Sequence, residues 1–278
     1  MAYLGTLSYD GYGSLLAGLL AGAGVDTSLV RRSDAPTPLA VVHRQKGENA
    51  YTFYLTGTAL TDLAPEAVPA LPEWSCALHV GTLALAIDPP AAAYEALLYR
   101  EAGRRTIVFD PNVRPAVFGD QTSYRARFER LARVADIVKL SEDDAAWIYP
   151  EFGRTDVLAR VLGLGPRLVA ITMGTLGAVA ASREGEAKVP ALPITVVDTV
   201  GAGDSFGAAL LAALLERDAL EPGATRVLDD SLLEEAVEYA VTAAAITCTR
   251  RGAVPPSRTE VEAWIGRSQE VGEGRAER

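Results

Sequence analysis

The residues best suited to chemistry lie in one short segment, DTVGAGDSF, at positions 198–206. The segment Ile194–Val197 before it is typical of a strand, and the leucines after Phe206 recur at helical spacing. The N–H groups of a first helical turn have no partners within the helix, and the helix dipole adds positive potential there. Gly201 and Gly203 would let this backbone approach a phosphate closely. The segment therefore predicts an anion-binding loop at the start of a buried helix.

Asp204, inside this segment, fits two interpretations. Aspartate is a preferred residue at a helix N-cap, where its carboxylate accepts a hydrogen bond from the first turn. A carboxylate beside an anion-binding loop also suits a base, which takes the proton of a hydroxyl that attacks a phosphoryl group. The position of Asp204 between a predicted strand and a predicted buried helix favours a role in phosphoryl transfer, but the N-cap interpretation remains open.

Three further polar clusters follow other predicted strands. In DPNVR at residues 110–114, proline holds the preceding aspartate extended, and Arg114 offers a planar guanidinium that suits phosphate oxygens. In SEDD at residues 141–144, a helix start capped by Ser141 and a role linked to Mg²⁺ are both open. TMGTLG at residues 172–177 is either an ordinary glycine turn or a nucleotide-binding loop.

Short apolar runs alternate with helical patterns along most of the chain, which predicts an α/β fold with a doubly wound, mostly parallel sheet. The runs lack polar alternation, as expected for strands that are covered on both faces. Ligands of such sheets bind beyond the carboxyl ends of the strands, so all four clusters should meet at one edge. The predicted strands are Tyr3–Leu7, Cys76–Val80, Thr106–Asp110, Asp136–Leu140 and Leu168–Thr172. The predicted helices between them are Ser14–Ala23, Pro90–Ala102, Thr122–Ala135 and Thr155–Leu162.

One segment departs from this alternation. Leu39–Leu55 is typical of two strands joined by the polar turn Arg44–Asn49, and this hairpin is either a lid over the site or a sheet edge. We expect residues 1–267 to form one domain, with the hairpin at about residues 39–56, and residues 268–278 to be a disordered tail. The predicted C-terminal helices are Asp204–Glu216, Ser231–Thr249 and Thr259–Arg267.

Composition narrows the classes of function. The chain has 278 residues, of which 49% are apolar and 22% charged, and this excludes wholesale disorder. The net charge of −10 argues against a general nucleic-acid binder, which needs a basic face. Cys76 and Cys248 form no zinc or disulfide pattern, which favours a reducing cytoplasm, and we find no secretory signal or membrane-length apolar run. We expect a cytoplasmic protein with no membrane or nucleic-acid partner.

Competing catalytic motifs are absent or incomplete. No P-loop motif occurs, and Gly11-Tyr12-Gly13 lacks the third glycine of a dinucleotide-binding loop. His43 and His79 are the two histidines, and no Ser/His/Asp or Cys/His set can be assembled with them. Because His79 lies within an apolar run, we predict that it is a core histidine rather than a ligand.

Five motifs occur in order along the chain: FDPNVRPAVF, KLSEDDAAWI, ITMGTLGAVA, DTVGAGDSFGAALLAAL and TCTRRGAVPP. In that spacing they resemble the ribokinase-like, phosphofructokinase-B type sugar kinases, nearest to the bacterial fructokinases, from about Tyr3 to about Trp264. The resemblance implies transfer of the ATP γ-phosphate to a sugar hydroxyl with Mg²⁺, and a loop that binds a monovalent cation such as K⁺. It also implies that the hairpin is a lid, through which members of the family often pair as homodimers.

The resemblance also implies roles for single residues. Asp204 matches the catalytic base, and Gly201, Ala202 and Gly203 match the anion hole. Asp144 matches an acid that acts through Mg²⁺-bound water, although the family usually has the longer glutamate there. The positions that match nucleotide-binding residues are Asn112, Arg114, Ser141, Thr172, Gly174, Gly177 and, in the adenine pocket, Val241. The positions that match the monovalent-cation loop are Asp198, Val200, Thr247, Arg250 and Gly252.

Two departures accompany the resemblance. Family members carry about forty residues before the position of Tyr3, including a core strand and most of the sugar pocket, so we expect an incomplete reading frame and an unpaired sheet edge. Fructokinases and 2-keto-3-deoxygluconate kinases also usually place an arginine near Leu55 or Thr56, and its absence weakens the case for a carboxylated sugar. The predicted function is phosphorylation of a ketose such as fructose by ATP. A kinase for another sugar, a phosphosugar or a nucleoside, and a non-catalytic nucleotide-binding protein, remain alternatives.

Overall fold

The computed structural model describes residues 1–45, 48–222 and 227–276. Within them, strands and helices alternate as the pattern of apolar runs predicts. The strands are β1 (Gly5–Ser8), β2 (Val30–Ser33), β3 (Leu39–Gln45), β4 (Glu48–Tyr54), β5 (Ala77–Gly81), β6 (Thr106–Asp110), β7 (Ile137–Ser141), β8 (Leu168–Thr172), β9 (Ala178–Ser182) and β10 (Glu186–Val189). The helices are α1 (Gly11–Gly22), α2 (Pro90–Glu101), α3 (Pro115–Phe118), α4 (Gln121–Ala132), α5 (Glu142–Ile148), α6 (Arg154–Leu164), α7 (Ala202–Glu216), α8 (Asp230–Cys248) and α9 (Arg258–Ala276).

The central sheet has six strands in the order β10-β9-β8-β7-β6-β5. Strands β5 to β8 run parallel, and β9 and β10 add an antiparallel hairpin at one edge. Helices connect the parallel strands, as parallel pairing requires, since a short turn cannot reverse the chain twice. The expected α/β architecture with a mostly parallel sheet is therefore confirmed.

The sheet divides the apolar interior into two cores, which explains why its strands lack polar alternation. Successive residues of a strand point to opposite faces. Ile137 and Leu168 join the core under α7 and α8, whereas Val138 and Val169 join the core under α4 and α6. All four are fully buried, and burial of one such side chain stabilises the fold by about 1.5–3 kcal/mol.

The structure differs from the prediction in three places. Ile194–Val197 is not a strand: Val196 and Val197 are exposed, and the Val197 N–H bonds to the carbonyl of Cys248 at the end of α8 rather than to a neighbouring strand. Strands β9 and β10 were not predicted, because alanine-rich AVAAS and the short EAKV carry little strand signal.

The third difference concerns the C-terminus. Residues 268–278 were expected to be a disordered tail, but α9 continues to Ala276. Glutamate, glutamine and arginine in this stretch have good intrinsic helix propensity, so a polar composition alone does not end the helix.

A smaller unit lies outside the six-stranded sheet. Strands β1 and β2 pair in parallel across α1, and β3 and β4 form the predicted antiparallel hairpin. At the end of this hairpin Leu55 is buried and Tyr54 is exposed, so these neighbours lie on opposite faces, whereas the turn residues 46–47 and the side chain of Tyr51 lie outside the described part. Among the described residues, no helix combines the length and apolar content needed to cross a bilayer.

Candidate active site

The carboxyl ends of the parallel strands bring three of the predicted clusters to one edge of the sheet. Gly81 at the end of β5 lies beside Asp110 at the end of β6, and Ser141 at the end of β7 lies beside Thr172 at the end of β8. The clusters at residues 110–114, 141–144 and 172–177 begin at these positions. The structure therefore places them side by side, as expected for a doubly wound sheet.

The fourth cluster reaches the same edge through the start of α7. Gly201 is the N-cap residue and has φ +80°, and a Cβ on it would lie 2.8 Å from the Cβ of Ala253, so glycine is required on both counts. The Ala202 N–H bonds back to Thr199, whereas the N–H groups of Gly203 and Asp204 have no acceptor in the part of the chain that the structure describes. Free N–H groups at a helix start are suited to bind an anion.

Asp204 has the geometry of a reactive carboxylate and not of a cap. Because Gly201 is the N-cap, Asp204 lies within the first turn, and the structure shows no bond from its side chain to the helix backbone. The side chain is exposed and has no hydrogen bond or ion pair with any described residue. Of the two interpretations of this aspartate, the N-cap is therefore wrong, and a free carboxylate stands beside two free N–H groups.

A buried ion pair lies directly beneath this loop. The Lys139 ammonium is 3.0 Å from Asp110 Oδ2, and it is 3.2 Å from the position that a Cβ of Gly203 would take. Both charged residues are almost fully buried, at 5% and 4% exposure. Burial raises the pKa of the Asp110 carboxyl against the opposing effect of the Lys139 charge, and Asp110 Oδ1 has no hydrogen-bond partner. Lys139 was not predicted as a site residue, because a lysine in an apolar strand does not reveal which way its side chain points.

His79 also faces this cluster, so the prediction of a core histidine is wrong. It lies on β5, the edge strand, and its side chain is exposed. Desolvation by the neighbouring protein atoms lowers the pKa of its imidazole, the charge of Lys139 lowers it further, and the carboxylates of Asp110 and Asp204 act in the opposite direction. A neutral imidazole is therefore favoured at the side of the cleft.

The loop at residues 110–114 is held in a strained form. Asn112 has φ +39°, which is uncommon for a residue with a side chain, and its amide bonds to the hydroxyl of Thr82, which itself has φ +55°. One terminal nitrogen of Arg114 bonds to Asn112 Oδ1 at 2.7 Å and to the Val113 carbonyl at 3.0 Å. Strained backbone of this kind clusters at binding sites, where the surrounding structure maintains it.

The cluster at residues 141–144 is a helix start, as one of its two interpretations predicts. Ser141 is the N-cap of α5, and its hydroxyl accepts a bond from the Asp144 N–H. Asp144 Oδ2 accepts the Ser141 N–H at 2.8 Å, and Asp144 Oδ1 accepts the Val113 N–H at 2.6 Å. The side chain is 4% exposed. With both oxygens bonded to backbone and out of solvent, Asp144 does not fit a ligand of Mg²⁺ or of its water.

The loop at residues 172–177 folds into a tight turn. Gly174 and Gly177 have φ +54° and +91°, and a Cβ on Gly177 would lie 2.0 Å from the Val189 carbonyl oxygen. Thr172 is partly open at the end of β8, and Leu176 at the tip of the turn is exposed. Val241, in contrast, is 6% exposed and packs in the core beneath α7. A role for Val241 in an adenine pocket stays a prediction.

The residues matched to a monovalent-cation loop join two segments of chain. Asp198 Oδ1 accepts the Val200 N–H at 3.1 Å and Asp198 Oδ2 accepts the Gly252 N–H at 2.9 Å, and these bonds lower the pKa of Asp198. Thr247 is buried, and its hydroxyl donates to the Ala243 carbonyl and lies 2.8 Å from the hydroxyl of Ser205. Arg250 bonds to the Pro255 carbonyl and to Glu260. Since its carboxylate holds backbone N–H groups, Asp198 acts here as a brace between the loops. In the described part of the chain, no three His, Cys, Asp or Glu side chains group as metal ligands.

Comparison with known proteins identifies the family. Residues 1–260 match the pfkB family carbohydrate kinases. The chain belongs to this family. It is also 37% identical over 232 residues to a fructokinase of Rhizobium leguminosarum bv. trifolii. The aligned region covers 84% of this chain and 71% of that protein. A fructokinase of Klebsiella pneumoniae is 32% identical over 91% of this chain and 81% of its own length. The protein is a sugar kinase, as the resemblance of its motifs predicted.

Solved structures confirm the ribokinase-like fold. The aminoimidazole riboside kinase of Salmonella enterica, solved with aminoimidazole riboside and an ATP analogue, superposes with a TM-score of 0.80 at 26% identity, over 95% of this chain and 85% of that one. A fructokinase of Vibrio cholerae O395 superposes with a TM-score of 0.80 at 24% identity, over 94% and 84% of the two chains.

Proposed function

We propose that this sugar kinase transfers the γ-phosphate of ATP to a hydroxyl of a ketose such as fructose, with Asp204 as the catalytic base. The observation that carries the proposal is the free Asp204 carboxylate beside the unpaired N–H groups of Gly203 and Asp204. The named fructokinases among the relatives, up to 37% identical, support a ketose as the acceptor. The ATP analogue in the Salmonella structure supports ATP as the donor.

In the proposed reaction the sugar hydroxyl oxygen forms a bond to the γ-phosphorus while the bond from that phosphorus to the bridging oxygen of ADP breaks. The hydroxyl proton passes to Asp204. The transferring group carries negative charge, so positioning and electrostatic stabilisation contribute most of the rate. The N–H groups at the start of α7 and the buried Lys139 ammonium supply positive charge on one side, and Arg114 supplies it on the side of the nucleotide phosphates.

The nucleotide would lie along the edge formed by Asn112, Arg114, Ser141 and the 172–177 turn. Mg²⁺ would reach the site bound to the phosphates, since it retains waters and takes few protein ligands. The only residue matched to it, Asp144, has both oxygens in use. A role for K⁺ at the loop of Asp198 stays a prediction.

A nucleoside kinase is the second candidate. One observation favours it: the Salmonella relative of similar structure is a riboside kinase solved with its riboside. A phosphosugar kinase has less support, because a phosphate on the acceptor calls for additional Lys or Arg, and Thr52 to Thr56 of the hairpin contains neither. A panel of fructose, other hexoses, ribose and ribosides assayed with ATP separates these acceptors.

The role of Asp204 is tested by Asp204→Asn in the full-length chain. We expect the rate of fructose phosphorylation to fall by about 10²–10⁴-fold, because the amide cannot accept the proton. The matched control is Asp156→Asn, which neutralises an unpaired aspartate in the first turn of α6 and should keep the rate. If Asp204→Asn retains most of its turnover, the assignment of the base is overturned. If the wild type binds ATP but phosphorylates no acceptor of the panel, the proposal of a ketose acceptor is wrong.

A further inference from the structure

Asp144 joins two loops of the site that are far apart in the sequence. Its Oδ1 accepts the N–H of Val113, in the loop after β6, at 2.6 Å. Its Oδ2 accepts the N–H of Ser141, at the start of α5, at 2.8 Å. Both are charge-assisted bonds. Asp144 is 4% exposed, so water does not compete for its carboxylate. One side chain thus holds the 110–114 loop against the N-terminus of α5.

We infer that Asp144 is a positioning residue, which clamps the loop that carries Arg114, and that it is not a ligand of Mg²⁺. The inference rests on the proposed function in one respect, the contact between Arg114 and the nucleotide phosphates. The evidence against a metal role is that both oxygens already accept backbone N–H groups and that the carboxylate is buried beneath the loop.

The loop needs such a clamp because its backbone is strained. Asn112 at φ +39° costs free energy that neighbouring contacts must offset, and the residue that follows it, Val113, supplies the N–H that Asp144 holds. Arg114 comes next. One of its terminal nitrogens is bonded within the loop, whereas its Nε and its second terminal nitrogen have no hydrogen-bond partner in the described part of the chain. Holding Val113 therefore fixes the direction in which the free edge of the guanidinium points.

The length of the acid also fits this role. An aspartate at the third position of a helix reaches the N-cap N–H, which completes a capping box, and here its second oxygen is left for Val113. A glutamate would place the carboxylate one methylene farther from both N–H groups. We therefore expect Asp144→Glu to impair this kinase, whereas a residue that acts through a metal ion would tolerate the longer acid that relatives carry.

The first experiment separates a clamp from a metal ligand by measuring binding and not turnover. The affinity for the ATP analogue AMP-PNP is measured by calorimetry on the full-length protein, once with Mg²⁺ and once with EDTA. For Asp144→Asn we expect about tenfold weaker binding under both conditions, because the amide can accept only one of the two N–H groups and turns a donor toward the other. If Asp144→Asn weakens AMP-PNP binding in the presence of Mg²⁺ but not in EDTA, the inference is overturned.

The matched control is Asp143→Asn, which removes the same charge from the same helix start. The Asp143 side chain is exposed and makes no hydrogen bond or ion pair among the described residues. We expect its affinity for AMP-PNP to change by less than about twofold, as for a surface substitution. An equal loss in Asp143→Asn would mean that only the charge near the helix dipole matters, which would also overturn the clamp.

A double-mutant cycle tests the route through Arg114. Arg114→Ala should weaken AMP-PNP binding, and Asp144→Asn should add little to it, because the clamp then has no guanidinium to aim. Fully additive losses would overturn the clamp as stated. If Arg114→Ala alone changes nothing, the proposed nucleotide contact is wrong rather than the hydrogen bonding of Asp144. Thermal unfolding of each variant followed by circular dichroism shows whether a loss reflects unfolding.

Discussion

At the scale of single residues, the site contrasts one charge that is left free with two that are buried together. Asp204 has no partner among the residues that the structure describes, as a base needs, whereas Lys139 and Asp110 neutralise each other just below it. A buried ion pair is an uncertain source of stability, because desolvation of the two charges offsets much of their attraction. Its place beneath the anion-binding loop gives it a different use, since a buried ammonium adds fixed positive potential where a phosphoryl group would lie.

Lys139→Met tests this use of the buried charge. We expect kcat to fall by about 10²-fold, the loss typical of removing one electrostatic contact to a transition state. The single variant should also lose stability, about 3–5 kcal/mol, because Asp110 stays buried without its partner. Steady-state kinetics and urea unfolding measure the two effects separately.

The control for this variant is Lys139→Met combined with Asp110→Asn. Removing both charges should recover most of the stability, because no uncompensated charge is left in the interior. The rate should remain low, since the ammonium is still missing. Recovery of kcat in the double variant would show that Lys139 does no more than neutralise Asp110.

At the scale of elements, the site is assembled from strand ends and one helix start, each fixed by local chemistry. Gly201, with a positive φ, ends the loop that leads into α7, and Asp198 in that loop accepts a hydrogen bond from the N–H of Gly252. Asp144 ties the loop after β6 to α5. These ties are made by carboxylates to backbone N–H groups, so hydrogen bonds within the chain fix the relative positions of these elements.

Gly201→Ala tests the start of α7 as an element. The new methyl group would meet Ala253, and alanine at φ +80° is strained, so we expect the free N–H groups to move and the turnover number to fall by more than tenfold. Gly207→Ala is the control in the same helix, because a Cβ there meets nothing within 4 Å and alanine favours a helix. Equal activity of Gly201→Ala and wild type would contradict the anion-binding role of this turn.

At the scale of the whole molecule, the sheet and the meeting of the clusters at its edge could be predicted, because strands buried on both faces give unbroken apolar runs. The strands Thr106–Asp110 and Leu168–Thr172 have the predicted bounds. Ile194–Val197 has strand-forming residues but pairs with no strand in the described part of the chain, and composition does not show whether a neighbouring strand exists.

The parts of the site that could not be predicted depend on contacts between distant segments. The bond from Val113 to Asp144 and the pair of Lys139 with Asp110 each join separate strand ends. The direction of Lys139 and His79 depends on strand register, which their apolar neighbours do not reveal. The types of the functional residues could therefore be predicted from the sequence, but the residues that they contact could not.

The oligomeric state is a prediction at this scale. The family resemblance suggests a homodimer through the hairpin, and Leu39, Val41 and Tyr54 on one of its faces are 44–59% exposed. We expect sedimentation velocity to show a dimer in the wild type and a monomer in Val41→Glu, because a charge on this face cannot be buried at an interface. Val227→Glu, at another exposed valine, should leave the dimer intact. A monomeric wild type at all concentrations would contradict the prediction.

Helix α1 has a practical consequence. Its sequence GYGSLLAGLLAG contains no charge, and Leu15, Leu16 and Leu19 are 40–62% exposed although the helix packs on β1. Fluorescent dyes that report unfolding bind to exposed apolar surface of this kind whether or not the protein is denatured. We therefore expect ANS to bind the native kinase. In a dye-based melting experiment the fluorescence would then be high before unfolding begins, so the curve would report the exposed surface of this helix as well as the unfolding of the two cores.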